Sequence, residues 1–239
     1  MSGARQLAMW VLSAGCLAGS GCLDSPPMSV SGGDGSTSAD GSVGGDIDAE
    51  VACTTVVRNQ FDDVEKWESY QEDESSVDIE SDQVRIQVAP KSVEGYAEIA
   101  TVTTGLIGES ELVASLAVAE TTTGVAGISW YDTVEEDYFD LQVHSGFVEA
   151  IDKAAAWNEE IALCSPCMAY DPIAHARMRL LARAGTVYYQ VGSADGEWID
   201  VASTQVREGD YERAAFGWAD GGQVSDSTVS EMTWLDCAF

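Results

Sequence analysis

Residues 170–201 read YDPIAHARMRLLARAGTVYYQVGSADGEWIDV and predict three consecutive antiparallel strands. Within residues 177–183, apolar side chains alternate with mostly basic ones, which is the period of a half-buried strand. Ala184-Gly185 and Asp195-Gly196 supply the two turns, since Gly tolerates a positive φ and Asp can hydrogen-bond the backbone two residues on. Trp198 begins the third strand, so the stretch predicts a meander.

The same pattern extends outward along residues 53–239. Residues 84–88 alternate apolar and polar side chains, and glycines with polar neighbours separate many such runs. Residues 112–118 are apolar on both faces, so we expect that strand to lie centrally in a sheet. This pattern predicts an all-β fold, a sandwich or jelly roll. One stretch, 152–160, fits a short helix or a strand equally well.

The residue 170–201 segment resembles the concanavalin A-like lectin/glucanase superfamily of jelly rolls. The matching positions are Tyr170, Asp171, Pro172, His175, Arg179, Gly185, Thr186, Val187, Tyr188, Ser193, Asp195, Gly196 and Trp198. It departs from the family at Glu197, which stands alone between Gly196 and Trp198 where two residues are usual. The resemblance implies a two-sheet antiparallel jelly-roll sandwich over residues 53–239. It also implies that His175 hydrogen-bonds a loop rather than acting as a base.

Catalytic residues of the family's hydrolases are missing from this sequence. Those enzymes carry paired carboxylates on one strand, because a nucleophile and an acid must flank the scissile bond. The run Glu135-Glu136-Asp137 puts neighbours on opposite strand faces and is typical of a solvated turn. We therefore expect a protein that is not an enzyme. The alternatives are a glycoside hydrolase of laminarinase type with unrecognised carboxylates, or a purely structural or adhesive envelope protein.

The overall charge excludes several kinds of partner. The chain carries 41 Asp and Glu against 11 Lys and Arg, a formal net charge of −30. Such a body repels phosphate, so we expect no nucleic-acid partner. An anionic bilayer would not hold it through a basic surface either.

The N-terminal residues 1–21 are typical of a secretory signal, with Arg5, an apolar stretch and small residues. Cys22 follows small residues, as in the lipobox of bacterial lipoproteins, and Cys16 is the alternative site of lipidation. Residues 22–52 form an acidic Gly/Ser-rich tether. We therefore expect a lipid-anchored, extracytoplasmic protein of the bacterial cell envelope, at the outer membrane or cell surface.

Four cysteines remain after residue 22, and an even number in an exported chain implies disulfides. Three pairings are possible. Because the ends of a jelly roll usually run side by side, we favour Cys53–Cys237 together with Cys164–Cys167. Cys164-Ser165-Pro166-Cys167 would fit a redox dithiol, but its surroundings lack the βαβ pattern of a thioredoxin.

Two groups of residues are candidates for holding a glycan or cell-surface polysaccharide. Trp130, Tyr131 and Trp218 could stack on sugar rings, although neighbours along a strand point to opposite faces. Arg177 and Arg179 could hold an anionic glycan unless the chain's own carboxylates neutralise them. No cofactor is expected beyond a calcium ion, which some members of the concanavalin A-like superfamily bind.

Overall fold

The computed structural model describes residues 52–57, 61, 67–72, 74–80, 82–90, 93–101, 109–132, 134–154 and 159–238. All of them belong to one compact unit, Asp48–Phe239. The predicted signal, both candidate lipidation cysteines and most of the tether lie outside the described residues. Within the described part of the chain, no helix is long and apolar enough to cross a membrane.

Every regular element of the described residues is a β-strand, and the strands form two antiparallel sheets. The first sheet contains β1 (Ala52–Val57), β3 (Ser76–Ile79), β4 (Val84–Val88), β6 (Ser110–Val118), β11 (Arg177–Arg183), β12 (Thr186–Gly192), β13 (Trp198–Gln205) and β15 (Ser225–Ala238). Its strand order is β13-β12-β11-β6-β15-β4-β3, and β1 pairs with β15.

The second sheet contains β2 (Trp67–Gln71), β5 (Gly95–Thr101), β7 (Val125–Asp132), β8 (Tyr138–His144), β9 (Phe147–Ala154), β10 (Glu159–Ala169) and β14 (Tyr211–Ala219). Its order is β10-β9-β8-β7-β14-β5-β2. Strands that are distant in sequence, such as β7 and β14, are neighbours, as a jelly roll requires.

The predicted meander is confirmed. Arg183 pairs with Thr186 across the Ala184-Gly185 turn, where both central residues have a positive φ, of 50° and 77°. This is the type I′ geometry that fits the twist of a two-residue hairpin. Gly196, with φ of 94°, makes the second turn, and Gly192 then pairs with Trp198.

The core lies between the two sheets and is filled by alternate residues of each strand. Val84, Ile86 and Val88 are fully buried there, as their alternation predicts. The strand expected to be central, β6, lies between β11 and β15, and both Leu112 in the core and Val113 on the opposite face are buried. Burial on both faces explains why this strand is apolar throughout.

The ambiguous stretch 152–160 is extended where the structure describes it, because it ends β9 and begins β10. Side chains of the opposite sheet hold β9 in place. The Tyr189 hydroxyl donates to the Ile151 carbonyl at 3.1 Å, and the Thr204 hydroxyl donates to the Asp152 carboxylate at 2.7 Å. A helix would withdraw these acceptors, so tertiary contacts decide between the two local possibilities.

Four cysteines lie among the described residues. A disulfide joins Cys164 and Cys167 within β10. Cys53 and Cys237 are direct cross-strand partners in the β1–β15 ladder. Directly opposed residues have Cα atoms about 4.5–5.5 Å apart, within the range that a disulfide spans. The pairing of Cys53 with Cys237 therefore fits the register and stays a prediction.

Candidate ligand-binding face

The second sheet has a face directed away from the core, which we call the outer face. In β7, Ala126, Ile128 and Trp130 belong to the core, so residues 125, 127, 129 and 131 point the other way. The cross-strand register extends this face over the neighbouring strands. Its principal side chains are Tyr70, Tyr96, Glu98, Ser129, Tyr131, Tyr138, Asp140, Gln142, His144, Glu149, Lys153, Phe216 and Trp218.

Aromatic rings form two groups on the outer face. In the first group, the Tyr96 ring lies 6.3 Å from Tyr70 and 6.2 Å from Phe216, nearly parallel to the latter. Trp218 is the direct cross-strand partner of Tyr96 in the same group. The second group is the cross-strand pair Tyr131–Tyr138, with ring centroids 6.5 Å apart. Tyr70, Tyr96 and Tyr131 are half-buried, while Tyr138, Phe216 and Trp218 are only 4–7% exposed. The half-buried rings are the ones that could contact the apolar face of a sugar.

On β9, beside the strands that carry the aromatic groups, Glu149 is the centre of a hydrogen-bonded network. Its carboxylate accepts from Gln142 at 3.1 Å and from Ser165 at 2.6 Å, and it lies 3.4 Å from Nδ1 of His144. Burial works to raise the pKa of Glu149, but these three partners together lower the pKa below its ordinary value. The hydrogen bond to Glu149 raises the pKa of His144, against the effect of its burial.

Asp140, on the same strand as Gln142, has the opposite electrostatic setting. Burial raises the pKa of Asp140 to about 8, and the hydrogen bond from Ser129 opposes that shift. The carboxylates of Glu160 and Glu98 raise it further. The Oδ1 atom of Asp140 is buried without a hydrogen-bond partner among the described residues. The protonated form of Asp140 is thus favoured, and its Oδ1 atom is shielded from solvent.

The sequence-predicted aromatic residues divide between the two faces of the sheet. Tyr131 and Trp218 lie on the outer face, where Tyr131 is half-buried and Trp218 is 7% exposed, and both stay predictions. Trp130 is fully buried in the core, where it makes an edge-to-face contact with Phe139 at 6.5 Å. The expectation that Trp130 stacks on a sugar is therefore corrected, because its indole cannot reach a ligand.

The predicted arginines lie on the other sheet. Met178 and Leu180 fill the core, so Arg177 and Arg179 project from the opposite face of the first sheet. Arg179 is held by Glu111 at 3.1 Å and by Gln190 at 2.6 Å. Both guanidinium groups lie over the Trp198 ring, 5.0 and 4.2 Å from its centroid. Arg179 is neutralised by the chain's own carboxylate, the alternative considered above, and neither arginine shares the outer face.

The family-like segment at 170–175 is a structural loop. The Asp171 amide donates to Nδ1 of His175 at 3.0 Å, and the His175 amide donates to the Asp171 carbonyl at 2.8 Å. The Asp171 carboxylate accepts two further amides, from Ile173 and Ala174. His175 is 7% exposed, so its predicted role in holding a loop is confirmed.

Sequence reasoning missed Asp140, Gln142, Glu149 and Phe216. A signal for two of them was present in β8, where Asp140 and Gln142 alternate with the core residues Phe139 and Leu141. Polar residues at every second position normally indicate a solvated face. Only the cross-strand register shows that they converge with aromatic rings from β5 and β14.

Comparisons with known proteins identify the class of fold. No protein-family model matches the chain, and no curated protein matches it. Solved structures do match, and they show that the described domain is a concanavalin A-like jelly roll, as the sequence resemblance implied.

Three of these structures illustrate the likeness. An endo-acting O-glycanase of the human gut microbiota superposes with a TM-score of 0.58 at 8% identity, covering 77% of this chain and 99% of the other. The β-glucanase of Bacillus licheniformis gives a TM-score of 0.54 at 14% identity, over 74% and 96% of the two chains. The VIP36 exoplasmic/lumenal domain, bound to Ca²⁺ and Man3GlcNAc, gives 0.51 at 10% identity, over 73% and 86%.

One matched structure bears on the expected calcium ion. The matched VIP36 structure is a Ca²⁺-bound form. In the part of this chain that the structure describes, no three His, Cys, Asp or Glu side chains are grouped as metal ligands. The calcium ion therefore stays a prediction.

Proposed function

We propose that this protein binds carbohydrate through the outer face of its second sheet, without catalysis. The observation that carries the proposal is the meeting of two aromatic groups with a polar centre on one sheet face outside the core. Flat apolar rings match the faces of sugars, and Gln142 on β8 and Glu149 on β9 add polar groups to the same face. A few placed polar groups among aromatic side chains are the usual composition of a small-molecule site. The matched VIP36 domain is bound to Man3GlcNAc, and the matched O-glycanase initiates mucin breakdown; both support the proposal by analogy of fold.

We further propose that the domain is held at the bacterial envelope by a lipid on Cys22, with Cys16 as the alternative. The sequence pattern of residues 1–22 and the acidic tether behind it support this proposal. A disulfide within β10 suits an oxidising compartment outside the cytoplasm.

A glycan array probed with the purified full-length protein tests carbohydrate binding. We expect signals for a group of related glycans. Tyr131→Ala, on the outer face, should lose them, and Trp198→Ala, a partly buried aromatic on the first sheet, should keep them. Thermal melts of both variants separate loss of binding from loss of folding. Silence of the folded wild-type protein across the array would overturn the proposal and favour a structural or adhesive envelope protein.

Glycoside hydrolysis is a second candidate, favoured by one specific observation. Asp140 and Glu149 lie on neighbouring strands, where Asp140 pairs with Ile151 and Glu149 pairs with Gln142. Diagonal partners of this kind have Cα atoms about 7–8 Å apart. The pKa of Asp140 is raised and that of Glu149 is lowered, so one carboxyl is neutral while the other is ionised. Two carboxyls with separated pKa values are the arrangement of an acid and a base or nucleophile.

Release of reducing ends from any glycan that the array identifies decides between the two candidates. A hydrolase should lose turnover in both Asp140→Asn and Glu149→Gln, while Glu120→Gln, in an exposed turn, should not change it. Bound glycan that is recovered intact after long incubation supports binding without catalysis.

A further inference from the structure

An accessible corner of the outer face lies where β8 turns into β9. His144 ends β8 and Phe147 begins β9, and the two are direct cross-strand partners across the Ser145-Gly146 turn. Directly opposed residues point to the same side of a sheet, so the imidazole and the phenyl ring share the outer face. The His144 side chain is 35% exposed and Phe147 is 44% exposed. This corner is therefore more accessible than β14, where Phe216 and Trp218 are buried.

The imidazole of His144 is oriented by Glu149. Nδ1 of His144 lies 3.4 Å from Oε2 of Glu149, whose lowered pKa keeps the carboxylate ionised at neutral pH. A carboxylate only accepts hydrogen bonds, so Nδ1 carries the proton in this contact. Neutral imidazole has a single N–H group, so Nε2 is then an acceptor, and it becomes a donor in the imidazolium form.

Glu149 is itself held by two further groups. Gln142 donates to the carboxylate from β8, and the Ser165 hydroxyl donates to it from β10. Ser165 lies in a bulge of β10, where the pairing with β9 is shifted. The Cys164–Cys167 disulfide closes that bulge. The carboxylate is thus fixed from both neighbouring strands, and it fixes the ring of His144 in turn.

The second ring nitrogen of His144, Nε2, is open to a ligand. It has no hydrogen-bond partner among the described residues, and it is not one of their buried polar atoms. Phe147 lies beside it on the adjacent strand, and neighbouring strands are about 4.8 Å apart. A sugar ring that packs on the phenyl ring would therefore bring its hydroxyl groups to Nε2.

We infer that His144 and Phe147 form a sugar-contacting site at this corner, where Phe147 packs on the apolar face of a pyranose ring and Nε2 of His144 hydrogen-bonds one of its hydroxyl groups. Glu149 is a positioning residue, because it acts through the imidazole. The inference rests on the proposed carbohydrate binding and adds the residues that contact the sugar. It specifies uncharged pyranosides, because Glu149 balances the charge of the imidazolium and leaves no excess positive charge for an anionic sugar.

NMR of the full-length protein labelled with ¹⁵N in histidine tests the orientation of the ring. The chain has two histidines, and His175 is an internal control, because its Nδ1 accepts from the Asp171 amide. We expect the proton of neutral imidazole on Nδ1 in His144 and on Nε2 in His175. Neutral His144 with its proton on Nε2 would overturn the inference.

Glu149→Gln tests the positioning role by the same spectra. The hydrogen bond to Glu149 raises the pKa of His144, so removing the carboxylate charge should lower that pKa. Glu120→Gln, in an exposed turn, removes a similar charge and should leave it unchanged. A His144 pKa that is the same in Glu149→Gln and in the wild type would overturn the role of Glu149.

Titration of the labelled protein with laminarihexaose, cellohexaose and mannohexaose, which are uncharged, tests the contact with sugar. We expect at least one hexaose to shift the Nε2 resonance of His144 and to leave His175 unmoved. His144→Ala and Phe147→Ala should each weaken binding of that hexaose by about 10-fold. Ile199→Ala, which removes an apolar side chain of similar exposure, 47%, from the first sheet, should not change it. Thermal melts show whether each variant is folded.

The outcomes distinguish the inference from the function on which it rests. A hexaose that binds without moving the His144 resonance, or that binds folded His144→Ala and Phe147→Ala as tightly as the wild type, would overturn the inference and leave carbohydrate binding in place. Failure of all three hexaoses to bind, with signals for other glycans on the array, would overturn it as well. Failure to bind any glycan would overturn both.

Discussion

The ionised form of Asp140 lowers the free energy of unfolding of the protein. Its folded-state pKa of about 8 lies above the ordinary value of 3.8, so folding favours the protonated carboxyl. The stabilising contribution is complete below about pH 4 and is lost as the pH rises through about 8. We expect Asp140→Asn to raise the free energy of unfolding by on the order of 5 kcal/mol at about pH 8 and to change it little at about pH 4.

Urea denaturation of the wild type and the Asp140→Asn variant at these two pH values gives the difference, and Glu120→Gln is the matched control. A variant that is destabilised at both pH values would show that the carboxyl is needed by the fold. A residue that lowers stability on a ligand-binding face is what a functional constraint produces.

His175 makes the opposite kind of contribution, because its hydrogen bond maintains a loop. Its Nδ1 atom accepts the Asp171 amide, and the ring is buried. His175→Ala leaves that amide without its partner, and we expect a loss of ~1–3 kcal/mol in the free energy of unfolding. Ile173→Ala in the same loop should change it by less than about 0.5 kcal/mol, because Ile173 is 82% exposed. Equal effects in chemical denaturation would refute this assignment.

Single residues show where prediction from sequence stops. Trp130 and Trp218 look alike in the sequence, because each lies in a run of residues that predicts a strand. Trp130 fills the core and Trp218 lies on the outer face. The sequence did not predict this difference, because β7 and β14 are buried on both faces and hydropathy does not mark which face is inward. The loop role of His175, by contrast, was predictable because its bonds are local.

At the scale of whole strands, turn chemistry predicted the fold well. Gly185 and Gly196 fixed the β11-β12-β13 meander, and the fully apolar β6 identified itself as a central strand. The pairing of β14 with β7 and with β5 was not predictable, because nothing local specifies which distant strand is the neighbour. The outer face depends on those pairings, so its polar centre emerged only from the structure.

The ends of the domain provide a prediction about β1 and β15. If Cys53 and Cys237 are joined, the bridge closes almost the whole domain, while Cys164–Cys167 closes four residues. In the chain-entropy account, the double variant Cys53→Ser/Cys237→Ser should lose ~5 kcal/mol and Cys164→Ser/Cys167→Ser ~2 kcal/mol. Guanidinium denaturation measures both losses. Peptide mapping without reduction checks the pairing, and a free thiol at Cys53 or Cys237 would contradict it.

For the whole molecule, the acidity of the chain and its N-terminal pattern belong to one hypothesis. A net charge of −30 keeps a domain in solution and away from anionic bilayers, so a covalent lipid would be needed to hold it at a membrane. Two or three acyl chains anchor stably because each buried CH₂ contributes ~0.8 kcal/mol. An acidic tether would then hold the outer face at a distance from the lipid surface.

Metabolic labelling with palmitate in a bacterial host tests that hypothesis. We expect the full-length chain to incorporate label and to fractionate with membranes, and globomycin to leave an unprocessed form of higher mass. Cys22→Ser should abolish both labelling and processing. Cys16→Ser should retain both, because the signal that precedes residue 22 has the normal length. Loss of label in Cys16→Ser alone would move the lipid to Cys16. An unlabelled wild-type protein of unchanged size, soluble in the cytoplasm with its thiols reduced, would contradict the envelope location and with it the expectation that the Cys53–Cys237 bridge forms.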